Sequence, residues 1–270
     1  MRRVVAVLVM VVSLLAVLAA ARAQSVETLP GTAWWTDPVT GERTVAVDAS
    51  VGERDLRRLA ARAGTVVREP GVRRRSIAGG DAIVPGGRYR CTVGFNVRST
   101  TTPYRYYFLT SGHCVGPVGS TVSSGGTVIG TVERRLDPRD LALVRYVPPA
   151  GVVLPPHPSA VNRYNGTLQP ITAFGTASVG QAVQRSGSTT GLRGGTVTAV
   201  NVTVNYAEGT VYGLTRTTAC AEPGDSGGPL FATTTGLGTL SGGSGNCTAG
   251  GVSYFAPVLP YLSLWSVGAY

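Results

Sequence analysis

Short runs of β-branched and apolar residues, separated by turn-forming residues, follow one another along the chain from Ile77 onward. Gly, Pro and Asn stand between the runs, where a chain of short strands has to reverse. This pattern predicts an all-β body, in a sandwich or a barrel. Only the final run, VLPYLSLWS, predicts a short helix. The candidate strands are Tyr106–Thr110, Thr127–Glu133, Leu141–Tyr146, Gln181–Ser186, Gly195–Val204, Thr210–Thr217, Pro229–Phe231, Leu237–Gly242 and Val252–Pro257.

The N-terminus reads MRRVVAVLVMVVSLLAVLAAARAQ, in which two arginines precede an apolar run. The small residues of Ala21-Arg22-Ala23 match what a signal peptidase accepts before its cleavage site. We therefore interpret residues 1–23 as a signal peptide that directs export. An apolar run of this length could also span a bilayer as an uncleaved anchor, which is the alternative interpretation.

Residues 24–76 differ in pattern from the body that follows. TAWWTDPVTGERTVAVDA predicts a hairpin, ERDLRRLAARAG predicts a helix that ends at Gly64, and TVVREP predicts another strand. About 50 residues are few for an independent core, and the segment ends in GVRRRS, a basic stretch that a protease could cut. We interpret residues 24–76 as a pro-segment. A small N-terminal domain that stays attached is the alternative.

The formal net charge of +10 comes from arginine alone, because the chain contains no lysine. A basic protein gains affinity for nucleic acid by releasing counterions from phosphates. Here the arginines are dispersed or lie in the first 75 positions, and they form no stripe interleaved with aromatic residues. We expect no nucleic-acid partner.

The four cysteines, Cys91, Cys114, Cys220 and Cys247, are an even set in a chain that we expect to be exported. Disulfides persist outside the cytoplasm, and four cysteines allow three pairings. Zinc is the competing use of such a set, but the chain has no C-x-x-C pair. We expect disulfides, no metal and no cofactor.

The stretch CAEPGDSGGPLF holds Ser226 among three glycines, two prolines and two acidic residues. A serine on a solvated turn needs no such setting. A nucleophilic serine does, because it must be held against a base and beside backbone donors for an oxyanion. Gly224 tolerates the backbone conformations that turn amides inward, while Gly227 and Gly228 leave room for a substrate. The whole run therefore predicts a nucleophile rather than an incidental serine.

Two histidines are candidates for the base. His113 follows an apolar strand in YYFLTSGHCV and stands next to Cys114, which can fix its backbone. His157 lies between prolines in a loop, and we interpret it as a solvated residue. We therefore predict that His113 is the base.

The acid that orients the base should be buried and hydrogen-bonded. Asp140 opens the apolar run LALVRY, which can carry its carboxylate into a core. Asp137, beside Pro138, has the pattern of a turn residue. Asp140 is therefore the predicted partner of His113.

These residues carry a resemblance to a known family. His113 in TSGHC, Asp140 in DLALVRY and Ser226 in GDSGGPLF resemble the three signatures of the chymotrypsin-like serine peptidases, in that family's His, Asp, Ser order. From about Ile77 to Tyr270 the chain is similar to the streptogrisin group of secreted actinobacterial peptidases, and the preceding segment resembles a streptogrisin pro-region more weakly. The segments that carry this likeness are SIAGGDAI, CTVGFNVRS, YYFLTSGHC, SGSTTG, VTAVNVTVNY, CAEPGDSGGPLF and SGGSGNC.

The resemblance implies two antiparallel six-stranded β-barrels with the site in the cleft between them. We place the first barrel at residues 77–169 and the second at 170–270, because the loop that ends near Gln169 is the longest stretch without a period. The resemblance also implies that Cys91 pairs with Cys114 and that Cys220 pairs with Cys247.

The resemblance further assigns roles around the nucleophile. The amides of Gly224 and Ser226 would form the oxyanion hole. Arg185 would form a buried ion pair with Asp225, which in animal relatives pairs with the new N-terminal amine, so activation would need no free amine at Ile77.

The substrate site is also implied by the resemblance. Ser241 would hydrogen-bond near Asp140, and the segment from Ser241 to Gly243 would pair with the substrate backbone as an added strand. The pocket for the residue before the scissile bond would be walled by Ala221, Gly242, Gly243 and Ser253.

The expected pocket is apolar. Its only acid is Glu222, which the resemblance places at the rim, and the positions that carry histidine in Glu-specific members hold Leu240 and Phe255. We therefore expect cleavage after Phe, Tyr, Leu or Met.

The chain departs from the group at Ser111, where Ala is usual, a small change that should be tolerated. The run Arg73–Ser76 does not resemble a site for a peptidase that prefers apolar residues.

Together these features predict a secreted, monomeric serine endopeptidase that is made as a latent precursor. Its partners would be protein or peptide substrates and its own pro-segment, without stable membrane association after signal cleavage. The alternatives are a narrow, regulated peptidase and, in a different class, a catalytically silent secreted binding protein with a peptidase fold.

Overall fold

The computed structural model describes residues 29, 31–48, 51–69, 77–147 and 156–270, and strands joined by tight turns make up most of these residues. The chain divides into two compact units, one within residues 1–74 and one within 75–270. Each unit is described separately below. The predicted signal peptide, residues 1–23, and the basic run at 73–76 lie outside the described residues.

The smaller unit is a three-stranded sheet with one helix. Strands β1 (Thr32–Thr36) and β2 (Arg43–Val47) form an antiparallel hairpin, and helix α1 (Glu53–Ala60) leads to β3 (Thr65–Arg68), which is parallel to β2. The Asp37 carboxylate caps the hairpin turn by accepting the amide of Val39 at 2.8 Å. Acidic residues in the first turn of α1 and arginines in its last turn complement the helix dipole. Buried apolar residues of β2, of α1 and of the loop between them form the core: Val45, Val47, Val51, Leu56 and Leu59.

The first part of the larger unit is a closed barrel. Strands β5 and β6 lie on one continuous segment, whose first half pairs with β4 and whose second half pairs with β7. The pairings β7–β10, β10–β9, β9–β8 and β8–β4 complete the ring, and all are antiparallel. Counting β5 and β6 together, the barrel has six strands. The strands are β4 (Ala82–Pro85), β5 (Cys91–Thr92), β6 (Asn96–Ser99), β7 (Tyr106–Thr110), β8 (Thr121–Ser124), β9 (Thr127–Leu136) and β10 (Leu141–Tyr146).

The second part is also a six-stranded antiparallel ring. Its strands follow the order β18, β17, β14, β15, β16 and β19, and β19 pairs again with β18 to close it. Closure removes the exposed strand edges that would otherwise invite aggregation. The strands are β14 (Ala182–Gly187), β15 (Gly191–Tyr206), β16 (Gly209–Thr217), β17 (Pro229–Ala232), β18 (Thr235–Asn246) and β19 (Gly250–Pro257).

Short elements connect the two barrels. The hairpin β11 (Ala160–Asn162) and β12 (Leu168–Pro170) lies in the predicted connecting loop, and β13 (Ala173–Phe174) joins β18 in parallel. After helix α2 (Leu259–Leu264), strand β20 (Val267–Gly268) returns the C-terminal end to β6 of the first barrel. The chain end therefore ties the second barrel back onto the first.

One hydrophobic cluster draws on both barrels. Phe95, Leu109 and Leu141 come from the first barrel, while Phe231 and Val258 come from the second or the segment after it. All five are almost completely buried. Since close-packed interiors resist deformation, this shared cluster fixes the position of one barrel against the other.

Two disulfides close short loops within the larger unit. Cys91 is joined to Cys114, and Cys220 to Cys247, with sequence separations of 23 and 27 residues. Loops of this length contribute about 3–4 kcal/mol each by restricting the unfolded chain.

The predicted all-β class with two barrels and a short C-terminal helix is confirmed, and each candidate strand overlaps an observed one. Within the described residues, no helix is long and apolar enough to cross a membrane. One interpretation is wrong: His157 is not a solvated loop residue. The residue is half-buried, and its ring packs against Tyr146 and Tyr106, with centroids at 4.4 and 5.0 Å. The carbonyls of the flanking prolines hold the segment in place, because Pro156 O accepts the Ile77 amide and Pro158 O accepts Asn96 Nδ2, both at 2.8 Å.

We expect Phe231→Ala to lower the free energy of unfolding by about 3–5 kcal/mol, because it removes a buried ring from the cluster shared by the barrels. Urea unfolding followed by tryptophan fluorescence measures this change. Val200→Ala, on an exposed position of β15, is the matched control and should change stability by less than ~0.5 kcal/mol. Equal effects of the two substitutions would contradict the role given to this cluster.

Candidate active site

His113 lies just beyond strand β7, on a single 3₁₀ turn formed by Gly112–Cys114. Its backbone amide donates to Asp140 Oδ1 at 2.8 Å. A side chain at position 112 would come within 3.2 Å of the Leu141 amide nitrogen, so glycine lets the two loops approach. The disulfide at Cys114 fixes the other side of the turn. The imidazole itself stays accessible, with 44% of the side chain exposed.

Asp140 is the residue that accepts hydrogen bonds from the amide and the ring of His113. It occupies the left-handed region, with φ at 50°, and ends the 3₁₀ turn Asp137–Arg139. Both of its carboxylate oxygens face His113 Nδ1, at 2.9 and 3.0 Å. A carboxylate accepts hydrogen bonds, so Nδ1 carries the proton and Nε2 is left with a free lone pair. This is the form of histidine that can accept a proton at Nε2.

The carboxyl of Asp140 is buried, yet its pKa lies below the ordinary value. Burial has the largest influence and raises the pKa, but the hydrogen bonds and charge of His113 together with the nearby Ser241 hydroxyl lower it by more. Ser241 Oγ is close enough to contribute without forming a hydrogen bond of normal geometry among the described residues. Asp140 is therefore an ionised group held in a buried place.

The segment that contains Ser226 is a series of tight turns in which most amides are occupied. Asp225 N donates to Glu222 O at 3.0 Å, Gly227 N to Leu240 O at 2.8 Å, and Gly228 N to Asp225 O at 3.0 Å. Within the described part of the chain, the amides of Gly224 and Ser226 donate no hydrogen bond. Unpaired amides at two alternate positions of one turn are available to bind the same anion.

Asp225 is completely buried and pairs with Arg185, whose Nη1 lies 3.1 Å from Asp225 Oδ2. The carboxylate also accepts the amides of Thr189, Thr190 and Glu222 at 2.9–3.0 Å. The Thr190 hydroxyl completes the set at 2.6 Å. A buried carboxylate with this many donors is held in one position.

Arg185 reaches this place as the largest fully buried side chain of the described residues. Its Nε donates to the carbonyl of Cys220 at 2.8 Å, and Nη1 donates to that of Gly191 at 3.2 Å. Burial lowers the pKa of its guanidinium, and the charge of Asp225 opposes that effect. The arginine thus ties the disulfide-bonded segment to the hairpin between β14 and β15.

The first disulfide lies between the two halves of the site. Cys114 Sγ is 3.9 Å from His113 Nε2 and 3.6 Å from the Ser226 carbonyl oxygen. The same carbonyl accepts the amide of Thr92 at 2.8 Å. Among the described residues the His113 ring meets Asp140 and Cys114 and makes no hydrogen bond to the Ser226 hydroxyl. Catalytic hydrogen bonds are often long or poorly aligned until substrate binds. The structure therefore brings the predicted nucleophile and base to one place without a direct bond between them.

Ser111, two residues before His113, is completely buried. Its hydroxyl donates to the carbonyl of Leu240 at 2.5 Å, and the same carbonyl accepts the Gly227 amide. The extra hydroxyl at this position is therefore satisfied by a hydrogen bond between the barrels, so it adds no unsatisfied polar group to the interior.

The predicted pocket residues lie on the second barrel beside the other disulfide. Gly242 and Gly243 of β18 are paired with Tyr254 and Ser253 of β19, and the Ser253 hydroxyl donates to Ala219 O at 2.5 Å. Glu222 Oε1 accepts the amide of Cys247 at 3.1 Å, so that carboxylate is held at the disulfide. Ala221 follows Cys220 directly and is half-buried.

One group of metal-type donors occurs among the described residues, and it consists of Cys91, His113 and Cys114. Both sulfurs are joined in a disulfide, so neither is the thiolate that a metal would require.

The structure adds residues that sequence reasoning missed. Tyr206 lines the cleft together with His113 and Ser241, and its buried hydroxyl has no hydrogen-bond partner in the described residues. The hydroxyls of Thr92, Ser188 and Thr189 bind backbone carbonyls of the Ser226 segment. No local pattern indicates these contacts, because each spans at least 34 residues.

The sequence and the fold of the chain are similar to those of known proteins. A family model described as Trypsin matches residues 77–265. The chain is 47% identical over 251 residues to Serine protease 1 of Streptomyces fradiae, covering 90% of this chain and 68% of that protein. It is 46% identical over 242 residues to Streptogrisin-A of Streptomyces griseus, covering 87% of this chain and 77% of that protein. The crystal structure of Cellulomonas bogoriensis chymotrypsin is similar, with a TM-score of 0.63 and 44% identity over 73% of this chain and 99% of that one.

We expect Arg185→Met to lower the free energy of unfolding by about 3–5 kcal/mol, because it leaves the buried Asp225 carboxylate without its counter-charge. Chemical denaturation measures the change. Arg145→Met is the control: it breaks a partly exposed pair with Glu133 at 3.4 Å and should cost less than about 1 kcal/mol. If the two variants unfolded at the same denaturant concentration, the buried pair would not have the structural weight given to it here.

Proposed function

The chain belongs to the trypsin family as a chymotrypsin-like serine endopeptidase, and from that premise we propose which residues carry the reaction and which substrates it cleaves. One observation carries the assignment. The amide of the predicted nucleophile Ser226 and that of Gly224, two residues earlier, are both unpaired among the described residues, while His113 and the ionised Asp140 lie across the first disulfide.

In this proposal Ser226 Oγ attacks the carbonyl carbon of the scissile peptide bond, and its proton passes to His113 Nε2. The carbonyl oxygen becomes an oxyanion, which accepts hydrogen bonds from the amides of Gly224 and Ser226. His113 then gives the proton to the leaving amine as the C–N bond breaks, and an ester of Ser226 remains. Water then attacks the ester carbonyl carbon and gives a proton to His113. The bond from that carbon to Ser226 Oγ breaks, His113 returns the proton to Oγ, and the carboxylic acid product leaves.

Asp140 acts through His113 and does not take up the proton. Its two oxygens at 2.9 and 3.0 Å from Nδ1 hold the ring and stabilise the imidazolium that forms in each step. The lowered pKa of its carboxyl supports this role, because only the charged form stabilises an imidazolium.

Activation by a free amine is not needed in this proposal. In the animal relatives that amine neutralises the aspartate before the nucleophile, but here Arg185 and four further donors already satisfy Asp225. The Ile77 amide instead donates to the carbonyl of Pro156 at 2.8 Å. Cleavage before Ile77 would therefore free the body from its N-terminal segment without rebuilding the oxyanion site.

The preferred residue before the scissile bond is large and apolar. Leu240 and Phe255 are buried where the Glu-specific members carry histidine, and the hydroxyl of Ser253 is used by Ala219. The carboxylate of Glu222 is held by the Cys247 amide, which favours its place at the rim over one that pairs with a substrate Lys or Arg. Selection would then follow burial of apolar surface, at about 25 cal/mol per Å².

The substrate backbone would bind as an added strand along Ser241–Gly243. The segment lies in β18, and Ser241 and Gly243 line the cleft that contains His113 and Asp140. Backbone pairing there would align the scissile bond with Ser226 whatever the side chains are.

We further propose that the enzyme is secreted as a latent precursor and acts as a monomer. The basic, apolar N-terminus and the two disulfides support export. The division of the chain into units within 1–74 and 75–270 supports a pro-segment that is cut near residue 76. Residues 24–76, 77–169 and 170–270 remain the proposed pro-segment and barrels.

We expect the processed protein to cleave peptides after Phe or Leu, and far less after Ala, Glu or Lys, in a series that differs only at that residue. Ser226→Ala should lower kcat by several orders of magnitude, because the three residues act as a unit. Release of a chromophore from matched substrates measures both.

Ser244→Ala, an exposed serine of β18, is the control and should keep full activity. Cleavage after Glu or Lys would overturn the pocket assignment. Full activity of the Ser226→Ala variant would overturn the assignment of Ser226 as the nucleophile.

A further inference from the structure

The turn between β14 and β15 contacts the segment before Ser226 through an exposed threonine. Thr189 Oγ1 donates to the carbonyl of Pro223 at 2.9 Å, across 34 positions of sequence. The backbone amide of the same threonine donates to Asp225 Oδ1 at 2.9 Å. One residue is therefore anchored on the buried ion pair and bonded to the peptide that precedes Gly224.

This bond sets the direction of the Gly224 amide. The peptide between Pro223 and Gly224 is trans, and in a planar trans peptide the C=O and N–H bonds point in opposite directions. With the Pro223 carbonyl directed at Thr189, the Gly224 N–H points away from that turn. Within the described residues it meets no acceptor, which is the state that an oxyanion donor requires.

The next peptide is held in the same way. The carbonyl of Gly224 accepts the hydroxyls of Thr92 at 2.7 Å and Ser188 at 3.1 Å. The peptide before Gly224, by contrast, depends on Thr189 alone among the side chains described.

The fit of glycine at position 224 supports the contact. Its φ of +96° is favourable for glycine, and an added Cβ would lie 2.3 Å from Thr189 Oγ1. The threonine hydroxyl thus occupies the space in which any other residue at 224 would place its side chain.

We propose that Thr189 is a positioning residue for the oxyanion hole: its hydroxyl holds the Pro223–Gly224 peptide in the orientation that presents the Gly224 amide to the substrate. The inference rests on the proposed function, since it needs Gly224 to be an oxyanion donor. Without the hydroxyl, the peptide can rotate and turn its carbonyl toward the cleft. A rotated peptide would remove one donor and put an acceptor in its place.

The test compares Thr189→Val, which keeps the shape and removes the hydroxyl, with Thr189→Ser, which keeps the hydroxyl. Thr198→Val is the matched control. The hydroxyl of Thr198, an exposed residue of β15, also donates to a backbone carbonyl, that of Arg216 on β16. Rates are normalised to active protein by titration with a fluorophosphonate. Each protein is also inhibited by a peptidyl aldehyde ending in Phe and by the corresponding peptidyl alcohol. The serine adds to the aldehyde, and the former carbonyl oxygen of the adduct lies in the oxyanion hole. The alcohol binds the same subsites but forms no such adduct.

We expect Thr189→Val to lower kcat roughly 3- to 10-fold with little change in KM, the factor that loss of one hydrogen bond to a carbonyl allows. The affinity for the aldehyde should fall by the same factor, while that for the alcohol stays unchanged. Thr189→Ser should keep most of the activity, and Thr198→Val all of it.

Three results would overturn the inference: an unchanged kcat in Thr189→Val, equal weakening of aldehyde and alcohol, or equal defects in Thr189→Val and Thr189→Ser. Each of these leaves the proposed peptidase intact, because the wild type remains active. A wild type that is folded, processed and inactive would instead overturn the proposed function and this inference with it.

Discussion

The buried ion pair between Arg185 and Asp225 is the interaction on which the site depends. Removing two charges from water costs several kcal/mol per ion, and the cost is offset only when further hydrogen bonds satisfy both groups. Here most of the further donors and acceptors are backbone atoms, of the β14–β15 turn, of Gly191, of Cys220 and of Glu222, and the Thr190 hydroxyl adds one side-chain donor. The pair therefore fixes the turn, the disulfide-bonded segment and the residue before Ser226 at once. Thr189 connects the ion pair to the peptide before Gly224, because its amide donates to Asp225 and its hydroxyl donates to the Pro223 carbonyl.

The two barrels contribute different parts, so the chemistry requires a fixed relation between them. His113 and Asp140 come from the first barrel, and Ser226 comes from the second. The shared hydrophobic cluster around Phe231 sets the coarse position. The Ser111 hydroxyl on the Leu240 carbonyl adds a polar contact between the strand end that leads to His113 and the strand that leads to Ser241. A hydrogen bond has a defined direction, so this contact adds a restraint on orientation to the packing of the cluster.

The sequence predicted the parts of the fold and site that are encoded locally. Long strands such as β15 and β18 show alternating or β-branched runs, whereas β4, β5, β6 and β8 have only two to four residues and are too short to show a period. The signatures around His113, Asp140 and Ser226 are local, so their elements could be anticipated. The bonds of Thr189 and Ser111 join distant segments through backbone carbonyls, which no pattern of side chains reveals. The environment of His157 was misjudged for the same reason, since its aromatic partners Tyr106 and Tyr146 lie on other strands.

The central claim is that one serine among many is nucleophilic because His113 and two free amides surround it. Reaction of the processed protein with a fluorophosphonate tests it most directly, because the serine oxygen displaces fluoride from phosphorus and keeps the label. Peptide mapping by mass spectrometry then locates the adduct. The account predicts a single adduct, on Ser226, and its loss when the protein is unfolded before labelling. An adduct on another serine, or a folded and processed protein that takes up no label, would contradict it.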